Sequence, residues 1–236
     1  MANRIIINNL ESNEYRRREA LNSLRNNLQF CGADLKSFIF TSCGSNEGKS
    51  TLSFELARSM TESGKSVVLV DADMRKSVMI KRYQMQSAEK KIRGLTHYLS
   101  GQAELEEIVC ETNVDNLSLV LTGPISPDPT KLLEGKAFDE LLEYLEERFD
   151  AVIIDTPPLG MVIDAAIMAP KCDGTILVIE SGNTSYRIAL DVKKQLEMSG
   201  ARILGTVLNK VPVEKNGYYN YYNYYSYYKE YGEEYK

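Results

Sequence analysis

Residues 37–51 read SFIFTSCGSNEGKST, and this stretch decides the fold. Its first part, 37–41, is an apolar run without alternation, the mark of a strand covered on both faces. A glycine-bearing loop follows, and a helix is expected from about residue 49 to 63, closed by Gly64. CGSNEGKS at 43–50 has the spacing of a phosphate loop, in the strand-loop-helix setting such a loop requires. Backbone N–H groups along Cys43, Gly44, Ser45, Asn46, Glu47, Gly48, Lys49, Ser50 and Thr51 are expected to line a nucleotide's phosphates, helped by the helix N-terminus. Lys49 is expected to reach the β- and γ-phosphates of ATP, and the Ser50 hydroxyl to bind Mg²⁺.

Outward from this loop the pattern repeats. Strands are expected at 66–71, 117–121, 151–155, 175–180 and 203–208, with helices at 131–148 and 184–199 and a short one at 94–99. Residues 14–29 carry Leu21, Leu24 and Leu28 at helical spacing, giving one apolar stripe. Continuous apolar strands separated by helices imply an α/β fold, a three-layer doubly wound sandwich with a mostly parallel sheet. Ligands on such sheets sit at the carboxyl ends of the strands, where the polar motifs cluster.

Two further strands end in carboxylates. VVLVDADMR at 67–75 places Asp71 and Asp73 two residues apart, so an extended chain points both the same way. AVIIDTPP at 151–158 ends in Asp155, suited to holding Mg²⁺ beside a phosphate loop. Lys49, Asp71, Asp73 and Asp155 are therefore the candidate catalytic residues, and Ser50, Asp73 and Asp155 the candidate metal ligands.

Composition narrows the classes. With 43% hydrophobic and 26% charged residues the chain reads as an ordinary globular protein, and its net charge of −5 argues against nucleic-acid binding. The four cysteines (Cys31, Cys43, Cys110, Cys172) form no CxxC pair and there is one histidine, which disfavours disulfide frameworks and zinc and fits a reducing cytoplasm. No apolar run reaches the roughly 18 residues of a membrane span, so attachment to a membrane is expected only through a partner.

After Pro212 the regular pattern stops. Residues 1–212 are expected to form the ATP-binding domain and 213–236 a separate, flexible tail. That tail holds ten of the chain's fifteen tyrosines: Tyr218, Tyr219, Tyr221, Tyr222, Tyr224, Tyr225, Tyr227, Tyr228, Tyr231 and Tyr235. A phosphate donor site and a row of hydroxyl acceptors in one chain suggest transfer of a γ-phosphoryl group to tyrosine. Spacing leaves open whether Asp71 or Asp73 is the base.

The combination resembles the bacterial tyrosine kinases (BY-kinases), the cytoplasmic kinase subunits found with capsule and exopolysaccharide export systems, over nearly the whole chain. The resemblance rests on EGKST at 47–51, VDADMR at 70–75, IDTPP at 154–158, GLTHYLSG at 94–101, GPISPDPTKLL at 123–133, VLNKV at 207–211 and the tyrosine cluster. It implies a P-loop NTPase fold of the MinD/ParA-like type, ATP and Mg²⁺ as cofactors, and autophosphorylation of the tail, in trans between subunits. It also implies that Asn209 contacts the adenine and that Asp71 activates the attacking tyrosine. The implied partners are a transmembrane activator or adaptor, which would hold the kinase at the inner face of the membrane, a tyrosine phosphatase, and further copies of the chain in a ring.

The chain departs from the family at two points. Ser45-Asn46 stands where Pro-Gly is usual, and Asn is the non-glycine residue that best tolerates a left-handed backbone. The family's Glu-x-x-Arg-x-x-Arg oligomerisation motif appears as EALNSLR at 19–25, with Asn22 at the middle arginine, which leaves ring assembly through that helix open. Two other readings share the fold: a ParA/MinD-like switch ATPase, which would carry a lysine where Gly44 stands, and a nucleotide-binding regulator without kinase activity.

Overall fold

A computed structural model describes residues 3–10, 15–87 and 92–212. The tail and its tyrosines lie outside the described residues. The strands are β1 (Arg4–Ile6), β2 (Ser37–Ser42), β3 (Val67–Asp71), β4 (Gln86–Ser87), β5 (Val109–Thr112), β6 (Leu117–Val120), β7 (Ala151–Asp155), β8 (Gly174–Glu180) and β9 (Ile203–Asn209). The helices are α1 (Tyr15–Cys31), α2 (Lys49–Glu62), α3 (Met79–Arg82), α4 (Leu95–Leu99), α5 (Leu105–Ile108), α6 (Pro129–Glu134), α7 (Lys136–Arg148), α8 (Asp164–Met168) and α9 (Tyr186–Met198).

Among the described residues the strands form one sheet in the order β4-β1-β5-β6-β3-β7-β2-β8-β9. From β6 to β9 every neighbouring pair is parallel, while β5 meets β6 and β1 meets β4 antiparallel. Successive residues of the central strands face opposite layers. Ile39, Val68, Val70, Val152 and Ile154 pack with Phe138 and Leu141 of α7 and Val192 and Leu196 of α9. Phe38, Phe40, Val67, Leu69 and Ile153 pack on the other face with Leu21 and Leu28 of α1 and Phe54, Leu56 and Met60 of α2. These two cores make the expected three layers.

One expected helix divides. Residues 131–148 form two helices, because Gly135 is extended (φ −71°, ψ 164°) between α6 and α7. The first starts earlier than expected, with Pro129 in its first turn and the Asp128 side chain accepting from Lys131 N. In α1, Asn22 donates to Glu19 within its own helix, and Arg25 donates to Ser59 O of α2 at 2.7 Å. Arg25 thus fastens α1 to α2. No helix among the described residues is long and apolar enough to cross a membrane.

Candidate active site

Register brings the site together. Asp71 at the end of β3 is paired with Asp155 at the end of β7, and Phe40 of β2 pairs with Asp155 on the other side. The loop at 43–48 continues from β2, so its residues and both carboxylates share the carboxyl edge of three adjacent strands. The first N–H groups of α2 lack intrahelical partners and point into this edge.

The loop takes the shape its sequence requires. Asn46 is left-handed (φ 64°), the conformation in which asparagine replaces glycine at lowest cost. Gly48 has φ 90°, and a Cβ there would lie 2.1 Å from Asn209 Nδ2. Asn209 donates from that nitrogen to Glu47 O at 2.8 Å, so the end of β9 closes over the loop. The Glu47 carboxylate, 4% exposed, accepts from Cys43 N at 2.7 Å and Gly44 N at 2.9 Å, and its other oxygen accepts from the Thr184 hydroxyl. Gly160 supports the loop from the far side: a Cβ there would stand 2.1 Å from Cys43 O. Cys43 is buried, and burial followed by the nearby Glu47 raises its thiol to about 11, so it remains protonated.

Lys49 and Asp155 are both buried, and Lys49 Nζ donates to Asp155 Oδ1 at 2.9 Å and to Ser50 Oγ at 3.3 Å. Burial nonetheless raises Asp155 above the usual carboxylate range, with Lys49 opposing. Asp71 is 2% exposed and is pushed up to about 7, by burial first and then by the charge of Asp155; the Ser77 hydroxyl, which donates to Asp71, works against this.

Asp73 reaches the cluster by a turn. The chain leaves the strand at Asp71: Met74 N donates to Ala72 O, and Asp73 N donates to Asp71 Oδ1 at 3.3 Å. The expectation of a continuing extended chain is therefore corrected. Asp73 still acts on both Asp71 and Asp155 through its charge, and its own carboxylate is steadied by Lys76 N at 2.9 Å. Arg75 continues the turn outward, donating from two nitrogens to Asp164 at 2.8 Å each, and Asp164 is 0% exposed. Sequence reasoning missed Ser77, Asp164, Thr184 and Gly160, none of which belongs to a motif with fixed spacing.

The donor set suits Mg²⁺. Ser50, Asp73 and Asp155 offer a hydroxyl and two carboxylates, and Mg²⁺ typically takes only one or two protein carboxylates and completes its shell with phosphate and water. Among the described residues no three His, Cys, Asp or Glu side chains gather into a protein-only metal site. A buried lysine, free helix N–H groups and adjacent carboxylates match a nucleotide's phosphates better than an isolated ion.

A family profile described as an AAA domain matches residues 43–189. The tyrosine-protein kinase CpsD of Streptococcus agalactiae is 45% identical over 193 residues, covering 82% of this chain and 83% of that protein. A BceF tyrosine kinase domain has TM-score 0.75 and 35% identity, over 83% of this chain and 78% of that one. The septum site-determining protein MinD of Pyrococcus horikoshii, with TM-score 0.63 and 22% identity over 76% of this chain and 72% of that one, shares the fold. Matched over most of its length by tyrosine-protein kinases at 35 to 45% identity, the chain belongs to the bacterial tyrosine kinase family.

Proposed function

We propose that the chain is an ATP-dependent protein-tyrosine kinase of a capsular or exopolysaccharide system, and that its acceptors include its own C-terminal tyrosines. The single observation that carries this is the pairing of Asp71 with Asp155 beside Lys49 at the mouth of the loop at 43–48. Lys49 and the N–H groups of 46–51 hold the β- and γ-phosphates. Ser50, Asp73 and Asp155 hold Mg²⁺, which neutralises phosphate charge when bound. Asn209, already lodged against the loop, borders the adenine.

Asp71 serves as the base. A tyrosine hydroxyl is a poor nucleophile near pH 7, since its own pKa is about 10. Its proton passes to Asp71 as the new O–P bond forms and the bond from the γ-phosphorus to ADP breaks. A carboxylate raised to about 7 is a better proton acceptor there than one at 3.8. Lys49 neutralises the charge of the transferring group.

The tail of 24 residues spans on the order of 80 Å when extended, which supports phosphorylation of a neighbouring copy. Each phosphotyrosine adds about −1.5 to −2 charge, so complete modification loosens any ring of subunits. A transmembrane adaptor, a tyrosine phosphatase and a position at the inner membrane face belong to the same proposal. The test incubates the full chain with Mg-ATP and probes for phosphotyrosine, beside a variant with the ten tail tyrosines changed to Phe. Strong labelling of the native chain and its loss in the variant are expected, with ATP affinity retained. Undiminished labelling of the variant removes the tail from the proposal.

A further inference from the structure

The loop at 43–48 lacks the Pro-Gly dipeptide usual in its family, and Ser45 has none of proline's restriction of the backbone. Something else must hold its shape. The Glu47 side chain folds back into the loop that carries it, and one oxygen takes the N–H groups of both Cys43 and Gly44. Successive N–H groups of this kind form an anion-binding concavity, here filled by a carboxylate of the chain itself. The other oxygen accepts from Thr184, just before α9, while the Glu47 carbonyl accepts from Asn209 at the end of β9. One residue thereby ties the loop to the end of β2, the entry to α9 and the end of β9. Its carboxylate uses the first two N–H groups and leaves those from Asn46 onward aimed at the phosphates.

We infer that Glu47 is the internal template of the phosphate loop, a positioning residue that presets the loop's N–H groups for a nucleotide without touching it. The inference rests on the reading of this loop as the phosphate cradle. What matters is reach and two accepting contacts rather than negative charge. A glutamine can accept both N–H groups with its oxygen and turn its amide toward Thr184; an aspartate keeps the charge but is one carbon short.

The experiment uses the full chain with Glu47→Ala, Glu47→Asp and Glu47→Gln, titrated with a fluorescent ADP analogue and Mg²⁺. Two charge-assisted hydrogen bonds order the loop, so Glu47→Ala should raise Kd about 10- to 30-fold. Glu47→Asp should follow it, and Glu47→Gln should stay within about fivefold of the native chain, its neutral oxygen being the weaker acceptor. A second readout needs no nucleotide: the amide proton resonances of Cys43 and Gly44 move upfield in Glu47→Ala and Glu47→Asp and stay near their native positions in Glu47→Gln. If Glu47→Ala does not fold, the contrast between Asp and Gln carries the test. Equal affinity for the Asp and Gln variants, or amide resonances indifferent to both, overturns the inference and leaves the kinase reading standing. A native chain that binds no Mg-ADP takes down both.

Discussion

The sheet has two unequal parts. Its centre, from β6 to β9, is parallel, made of strands of 4 to 7 residues, and its carboxyl edge carries every described residue assigned to the site. Its flank, β4-β1-β5, has strands of 2 to 4 residues, two antiparallel contacts and no site residue. Side-chain amides do much of the joining there: Asn113 accepts from Ile7 N at 2.8 Å, and Asn8 and Asn9 donate to Gln84 O and Arg82 O. The contrast teaches that chemistry and completion of the fold are assigned to different strands. The flank covers the edge of β6 and adds Ile5 and Cys110 to the core on the α1 and α2 face, while the centre aligns charged groups.

That division can be broken by substitution. Lys49→Met, at the centre, should cut phosphotyrosine formation by about a thousandfold or more, about 4 kcal/mol of barrier, in a Mg-ATP labelling assay. Ile5→Ala, in the flank, removes a fully buried side chain and should cost about 2–5 kcal/mol in denaturant unfolding. It should leave the Kd for Mg-ADP unchanged; weakened nucleotide binding would break the division. Asp71→Asn sharpens it from the other side. A carboxylate raised to about 7 in the fold stays protonated where the unfolded chain has lost its proton, so it subtracts stability as pH rises from about 4 through 7. The variant should therefore be more stable than the native chain at pH 8, by on the order of 2–4 kcal/mol, with the difference vanishing near pH 4. Its kinase activity should fall together with that gain. Arg25→Ala, which removes the hydrogen bond from α1 to Ser59 O of α2, should cost about 1 kcal/mol in thermal unfolding.

The same division marks what the sequence made legible. Strands such as 67–71 and 151–155 are apolar runs rich in β-branched residues, each ending in an aspartate, and such runs have few alternatives. Strands such as RII of β1 and QS of β4 are too short to show any period. The break at Gly135 was hidden because an isolated glycine does not by itself end a helical pattern, and Phe138, Leu141 and Leu145 keep helical spacing after it. In the site, positions rather than roles were readable: Lys49 and Ser50 open α2 after the loop, and Asp71 and Asp155 end β3 and β7. Glu47 was named only as a member of the loop, since nothing in its position announces that its side chain folds inward. Ser77 and Thr184 come from connections and Asp164 opens the short helix α8; their positions are set by packing, and no offset predicts them.

Asn209 and Lys210 rest directly on the phosphate loop, through Glu47 O and Asn46 O. If the proposed acceptors are the tail tyrosines, the chain itself would tether them beside the donor: Tyr218 follows Lys210 by eight residues, a contour of roughly 26 Å. A tether of that length would give such acceptors an effective concentration on the order of millimolar whatever the protein's dilution. Labelling within one molecule would be first order in protein, and labelling between molecules would fade on dilution, so a concentration series separates the two routes.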